Sequence, residues 1–334
     1  DSVHSFANDP ERGLYLLGFT GFLIVTSMIL FSFRLPILSS NKTIAALSKE
    51  SFISINNIIF GTLIFSTMLG ILYPLIYEFL YEQKISVGAP FYNAIYIPTT
   101  ILACLFLFFS IDSKWQRGFK KSFFVTPMFI SVILSIASTF ATYYLLLITD
   151  LWILISIFTG SLIIFRYLIV VKDYFLNNKY SNPFSIIAHL GLGILVISIA
   201  LNSELSTERA LNIKMNESDM YRDYKITFDD LRLIKRSNYD SVRASFLLTG
   251  PDGKNIELSP EKRKYFARGQ VTTETAIHLT PLKDIYMTIG DQLDDGSWIV
   301  NIQFNYFIRW IWFSAIMMAL GGSMLALSLV RSKE

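Results

Sequence analysis

Seven apolar runs, nearly free of charge, decide most of what this chain can become. They lie at Gly13–Phe31, Ile53–Ile76, Tyr92–Ser110, Phe123–Tyr144, Leu151–Val171, Phe184–Leu201 and Phe307–Val330. Crossing a hydrocarbon layer of ~30 Å takes ~20 residues of helix. No water is available there, so the backbone must satisfy its own hydrogen bonds, and a helix does this within one segment. Only 16% of the residues are charged, against about 25% in soluble domains, and 52% are apolar with a mean hydropathy of +0.46. The sequence therefore predicts an all-α polytopic membrane protein of about seven transmembrane helices. One small β-rich domain is inserted between the last two. The expected division is 1–201 for the first six helices, 202–306 for the β-rich domain and 307–334 for the final helix and tail.

Charge sets the expected orientation. Alternate connections carry Arg34, Lys42 and Lys49, then Lys114, Arg117, Lys120 and Lys121, then Lys172 and Lys179, then Arg331 and Lys333. The intervening short loops hold Glu78, Glu82, Lys84 and Asp150. The positive-inside rule makes the first set cytoplasmic. The N-terminus and residues 202–306 are then periplasmic, or on the equivalent face of a mitochondrial inner membrane. The net charge of +3 carries no argument for nucleic acid.

Residues 202–306 form the one sizeable polar block. Alternating stretches such as YKITFDDLRLI and VRASFLLTG read as strands, and Asp252-Gly253 and Asp295-Gly296 read as tight turns. An antiparallel sandwich or open barrel is expected.

His189 lies inside the uncharged run FSIIAHLGLGILVISIAL, five residues past Phe184 and so about 8 Å along the helix. Histidine at that depth is costly without a partner. Neutral imidazole is also a common axial ligand of haem iron. A bond to a neighbouring helix and ligation of haem are both open readings. Gly191 and Gly193, just beyond it, admit either another helix or a flat ring. His4 sits before the first run at its aqueous edge, as a ligand or as a solvated terminal residue, and His278 reads as structural. Arg166 and Arg309 near span ends would anchor at the interface by snorkelling or pair with an acidic group such as a haem propionate. Asn56 and Asn57 are expected to bond between helices. The loop Gln83–Asn93 reads as a shaped surface over a cleft or as a plain turn. SPEKRKYF (259–266) reads as a basic cluster for lipid phosphate or an anionic partner, or as a solvated turn. The lone Cys104 excludes an intrachain disulfide and a cysteine zinc cluster, and reads as packing. No nucleophile elbow, phosphate loop or metalloprotease helix is evident.

The same residues carry a resemblance. SVHSFANDPERG, NNIIFGTLIFSTMLGILYPLIYE, KISVGAPFYN, AHLGLGILVISIAL, RSNYDSVRASF, PEKRKYFARGQVTTETAI, DIYMTIGD and FIRWIWFSAIMMALGGSMLAL follow in order along the chain. Together they resemble the second half of the CcmF family, the haem lyases of cytochrome c maturation system I. The resemblance implies that haem delivered by the haem chaperone CcmE is joined to CXXCH cysteines of apocytochrome c. It also implies a transmembrane b-type haem that takes electrons from quinol and keeps the substrate haem reduced. On this resemblance His4 matches an axial ligand of the periplasmic substrate haem, and His189 matches an axial ligand of the transmembrane b-haem. The family's tryptophan-rich WWD segment and the two complementary histidines are absent. The expectation is a C-terminal half, from a split or longer protein, that needs its N-terminal WWD-containing partner. A CcmH-type apocytochrome-handling subunit and membrane lipid complete the implied partners. A haem transporter subunit and a non-catalytic assembly scaffold are the alternatives. Transporters often show inverted repeats and broken helices, and neither is visible in the sequence.

The orientation predicts that alkaline phosphatase fused within residues 210–290 is active in a bacterial host. An inactive fusion there, with activity in the 112–122 loop instead, contradicts it.

Overall fold

The computed structural model describes residues 10–38, 44–116, 126–177, 182–267 and 269–331. Seven helices long and apolar enough to cross a membrane are present among them. They are α1 (Pro10–Leu38), α2 (Lys49–Tyr81), α3 (Ala89–Ser110), α4 (Thr126–Leu146), α5 (Leu151–Asn177), α6 (Pro183–Leu205) and α7 (Ile308–Arg331). The described part of each expected run falls on one of these helices, α7 starting one residue later than expected, and residues 123–125 of the fourth run lie outside the described residues. His4 lies outside the described residues.

α5 and α6 form the centre of the bundle. Their apolar windows are 44% and 39% buried, whereas the Gly18–Leu35 window of α1 buries nothing within this chain. Glycines allow the central contacts. A Cβ at Gly193 would lie 2.9 Å from the Gly160 carbonyl oxygen and 2.7 Å from Ile164 Cγ1, so α5 and α6 meet almost backbone to backbone. On the other side of α6, a Cβ at Gly191 would lie 2.9 Å from the Ser314 carbonyl oxygen of α7. Gly191 and Gly193 thus serve helix packing, which resolves the alternatives left open by the sequence. Cys104 is buried with Ile163, Tyr167, Ile186 and Val196, as packing.

Between α6 and α7 ten strands build two antiparallel sheets. The strands are β1 (Thr207–Ile213), β2 (Ser218–Tyr221), β3 (Tyr224–Lys235), β4 (Tyr239–Thr249), β5 (Asn255–Leu258), β6 (Glu261–Tyr265), β7 (Val271–Glu274), β8 (Ala276–His278), β9 (Lys283–Gln292) and β10 (Trp298–Tyr306). One sheet has the order β1-β10-β9-β8; the other runs β2-β3-β4-β6-β7, with β5 also paired to β4. Alternate residues face inward, as the period of two demands. Ile226 and Phe228, Phe246 and Leu248, Ile285, Met287 and Ile289, and Val300, Ile302 and Phe304 fill one core. Burial of each such side chain contributes roughly 1.5–3 kcal/mol. Gly253 (φ 73°) and Gly296 (φ 83°) supply the left-handed residues of the two Asp-Gly turns, joining β4 to β5 and β9 to β10.

The domain leaves and re-enters the bundle through adjacent strands. β1 follows α6, β10 precedes α7, and the two pair directly, Thr207 opposite Phe304. Asn202 Nδ2 donates to the Tyr306 carbonyl oxygen (2.6 Å), and the Tyr306 amide donates to Ser206 Oγ (3.0 Å). Arg309 Nε donates to Asp284 Oδ1 at 3.1 Å, with Asp284 buried, and Trp310 Nε1 donates to the Pro281 carbonyl oxygen. Arg309 therefore ties α7 to β9 and does not snorkel.

Gly193→Ala should destabilise the purified chain in detergent by about 1–3 kcal/mol, the usual range for overpacking. Gly322→Ala, where a Cβ meets open space, should be neutral or slightly stabilising because alanine is the better helix former. Thermal unfolding checks the pair; equal effects contradict the α5–α6 contact.

Candidate functional site: a histidine-bearing cleft between α2, α3, α5 and α6

A cleft of about 840 Å³ opens at the end of the bundle remote from the β domain. Small-molecule sites typically span about 300–1,000 Å³. Phe52, Ile59, Leu107 and Val170 give it apolar walls, and Lys49, Asp112, Arg166, Asp173 and Trp115 also line it. Asn56 lines it too, and Asn57 is exposed; among the described residues no hydrogen bond links either to another helix.

His189 enters this cleft from the second turn of α6. α6 starts cleanly because Asn182 caps it, its Oδ1 accepting from the Phe184 amide at 3.0 Å, and Pro183 occupies the first turn. The half-buried imidazole places Nδ1 2.7 Å from the Ser185 carbonyl oxygen and 3.3 Å from Ser185 Oγ. A carbonyl oxygen only accepts, so Nδ1 carries a proton, and in the neutral imidazole Nε2 keeps its lone pair. Iron-ligating and zinc-ligating histidines use this same arrangement, one ring nitrogen held and the other free to coordinate. Tyr167 of α5 lies flat against the imidazole, with ring centroids 5.0 Å apart and an interplanar angle of 9°.

Arg166 departs from the snorkelling expectation. It is 6% exposed and paired with Asp112, Nη2 to Oδ1 at 2.6 Å and Nε to Oδ2 at 3.3 Å. Asp112 stands just past α3, so the pair closes the cleft between α3 and α5. The same loop covers the start of α2. The Lys49 amide donates to the Lys114 carbonyl oxygen (3.1 Å), and the Gln116 amide donates to the Glu50 carboxylate (3.0 Å). Sequence reasoning missed Tyr167, Ser185 and Asp112. Ser185 stands four residues before His189, a spacing that places it on the same helix face. Tyr167 and Asp112 come from other helices and leave no local signal.

Both polar stretches run from irregular chain into a regular element, and residues 83–88 are a plain connection between α2 and α3. Ala89–Asn93 is the first turn of α3, with Gly88 as N-cap and Pro90 in the first turn. Tyr92 packs over Gly70 of α2, and Tyr96 OH lies 2.5 Å from Thr67 Oγ1. Tyr92 and Tyr96 thus hold α2 to α3. Residues 261–265 form strand β6, not a turn. Glu261 points inward and is buried, and accepts from Arg243 Nη2 (3.1 Å) and Arg263 Nη2 (3.2 Å). Arg263 also pairs with Glu274, and Lys262 with Asp291. Lys264 sits across from Asp240 in the ladder. The cationic run is largely neutralised by the domain's own carboxylates. His278 lies in β8, half-buried and opposite Ile285. Among the described residues no group of three or more His, Cys, Asp and Glu side chains could hold a metal ion. Axial haem ligation needs only one imidazole per face.

A helical bundle with an antiparallel β-sandwich between its last two helices defines the class: a polytopic membrane protein with one inserted β domain. Residues 204–305 match the family described as the CcmF C-terminal beta-sandwich. Over 98% of its length the chain is 30% identical to the cytochrome c-type biogenesis protein CcmF of Pseudomonas aeruginosa, covering 51% of that protein. Over 96% of its length it is 30% identical to CcmF of Escherichia coli, covering 50%. The solved structure of a protein described as cytochrome c heme lyase CcmF superposes with a TM-score of 0.72, over 93% of this chain and 49% of that one, at 16% identity. That last likeness carries the fold. The chain spans about half the length of the curated relatives it matches.

Burial alone would raise the Glu261 carboxyl, but hydrogen bonds from Arg263, Ser241 and Arg243 together outweigh it and hold the group at about 2, below an ordinary 4.5. A carboxyl depressed in the folded state stabilises fully above its unfolded value, and that stability is lost as pH falls toward its folded value. About 3 kcal/mol of β-domain stability should therefore disappear between pH 4.5 and 2. Thermal unfolding of wild type and Glu261→Gln across that window checks this. The glutamine variant should lack the Glu261 contribution to the decline, and parallel declines contradict it.

Proposed function

We propose that this chain is the C-terminal half of a membrane haem lyase of cytochrome c maturation. The observation that carries the reading is the likeness to CcmF proteins along nearly the whole chain. The cleft agrees with it in kind. Its volume, its apolar walls and a histidine with one nitrogen committed suit an axially ligated haem.

In this reading His189 Nε2 supplies one axial ligand of a transmembrane b-type haem, while the Ser185 carbonyl keeps the proton on Nδ1. Lys49, which lines the cleft, would offer positive charge to a haem propionate, while Arg166 is already paired with Asp112. Phe52, Ile59 and Leu107 exclude water from the ring. Bound haem supplies one-electron transfer from quinol toward the substrate haem. A second ligand would come from the N-terminal, WWD-containing half. The bare faces of α1 to α4 offer apolar surface for that half or for lipid.

His4 supplies one axial ligand to the substrate haem on the periplasmic side of the bacterial inner membrane, or on its mitochondrial equivalent. The β domain stands on the same side. Haem arrives from the chaperone CcmE, and apocytochrome c arrives with a CcmH-type subunit. Each CXXCH thiol adds across a vinyl group, sulfur to one carbon and hydrogen to the other, with no leaving group. The haem transporter reading gains no support, since α5 and α6 run unbroken past the cleft.

Co-expression with an N-terminal half should give a bis-histidine b-type spectrum that His189→Ala removes. An unchanged spectrum contradicts the assignment. His4→Ala should abolish cytochrome c maturation in the same cells and leave that spectrum intact; normal maturation contradicts the role of His4.

A further inference from the structure

We propose that Tyr167 is a positioning residue that sets the ring plane of His189 and so the orientation of the axial ligand. The inference rests on the haem reading of the cleft and deepens it. The torsion joining an imidazole to its Cβ is broad, so packing must choose the ring's orientation. The Ser185 carbonyl holds one edge of the ring through Nδ1 at 2.7 Å. A single hydrogen bond at one edge still lets the ring rock about that bond. Tyr167 removes this freedom by covering one face, 9° from parallel with centroids 5.0 Å apart. Offset stacking of this kind is favourable as well as confining. Tyr167 is itself fixed, 7% exposed and packed with Cys104, Ile163, Ile186 and Val196. The neighbouring Arg166, pinned to Asp112 from the turn after α3, holds the same turn of α5 against α3. One edge and one face are thus constrained by two different helices, and Nε2 is the ring atom left to coordinate.

The plane of an axial imidazole governs its overlap with the iron d orbitals. A freed ring therefore changes the electronic signature of ferric low-spin haem without removing the ligand. A residue that merely fills space would not do this selectively.

The test uses this chain co-assembled with its N-terminal half in native membranes, as wild type, Tyr167→Phe and Tyr167→Leu. Haem content is read from the Soret band, ring orientation from the electron paramagnetic resonance g values, and potential from redox titration. Tyr167→Phe keeps the flat face, so its g values and midpoint potential should equal those of wild type. Tyr167→Leu should retain the Soret band while the largest g value shifts or splits and the midpoint potential moves. Unchanged g values and potential in Tyr167→Leu overturn the inference and leave the haem reading standing. A shifted signal in Tyr167→Phe assigns the effect to the hydroxyl and overturns it too, whether or not the leucine variant accumulates. A wild-type assembly without a Soret band overturns the haem reading, and this inference with it.

Discussion

The 2.7 Å contact between His189 Nδ1 and the Ser185 carbonyl oxygen decides what the other ring nitrogen can do. A histidine placed along an apolar helix has three states open to it: charged, neutral with the proton on one nitrogen, or neutral with it on the other. The carbonyl then selects the tautomer, because it can only accept. What remains is a lone pair on Nε2 in a cleft of about 840 Å³. A neutral imidazole in this state can coordinate a metal ion without first having to lose a proton.

The rest of the bundle serves that placement. α6 is gripped on both sides by glycine contacts, Gly193 against α5 and Gly191 against α7, and these fix its rotation. Rotation of α6 determines whether position 189 faces the cleft or the lipid. The far end of the same helix runs straight into β1, which pairs with β10 and hence with α7. Asn202, Ser206, Asp284 and Arg309 make that junction stiff. One pair of helices thus carries the histidine near one end and the whole β-sandwich at the other. A displacement of the domain would be felt along α6 and α7.

Much of this architecture is legible in the residues, for reasons of scale. A transmembrane helix needs some 20 uninterrupted apolar residues, and such runs are hard to mistake. The longer strands of the sandwich alternate over most of their length, and both Asp-Gly turns use the left-handed conformation that glycine provides. The place of His189 in the second turn of α6 is also readable, since it follows from counting residues along one helix. Other features were not. Residues 89–93 look like loop because Gly88 and Pro90 punctuate them, yet that punctuation is also how a helix begins. Residues 261–265 look like a solvated turn because an inward-facing glutamate breaks the expected alternation. Only the strands on either side reveal the arginines that satisfy it. Arg166 reads as interfacial until Asp112, 54 residues earlier, is brought beside it. Tyr167 carries no signal at all in the sequence, because its partner is a ring on a different helix.

The central claim is that His189 Nε2 is an iron ligand. It is tested most directly by determining the structure of the assembly this chain forms with its N-terminal half, purified with its native pigment. The account predicts a porphyrin in the cleft between α2, α3, α5 and α6, its iron bonded to His189 Nε2 while Nδ1 stays on the Ser185 carbonyl. A porphyrin bound elsewhere, or iron held in that cleft by a different residue of this chain, would contradict it.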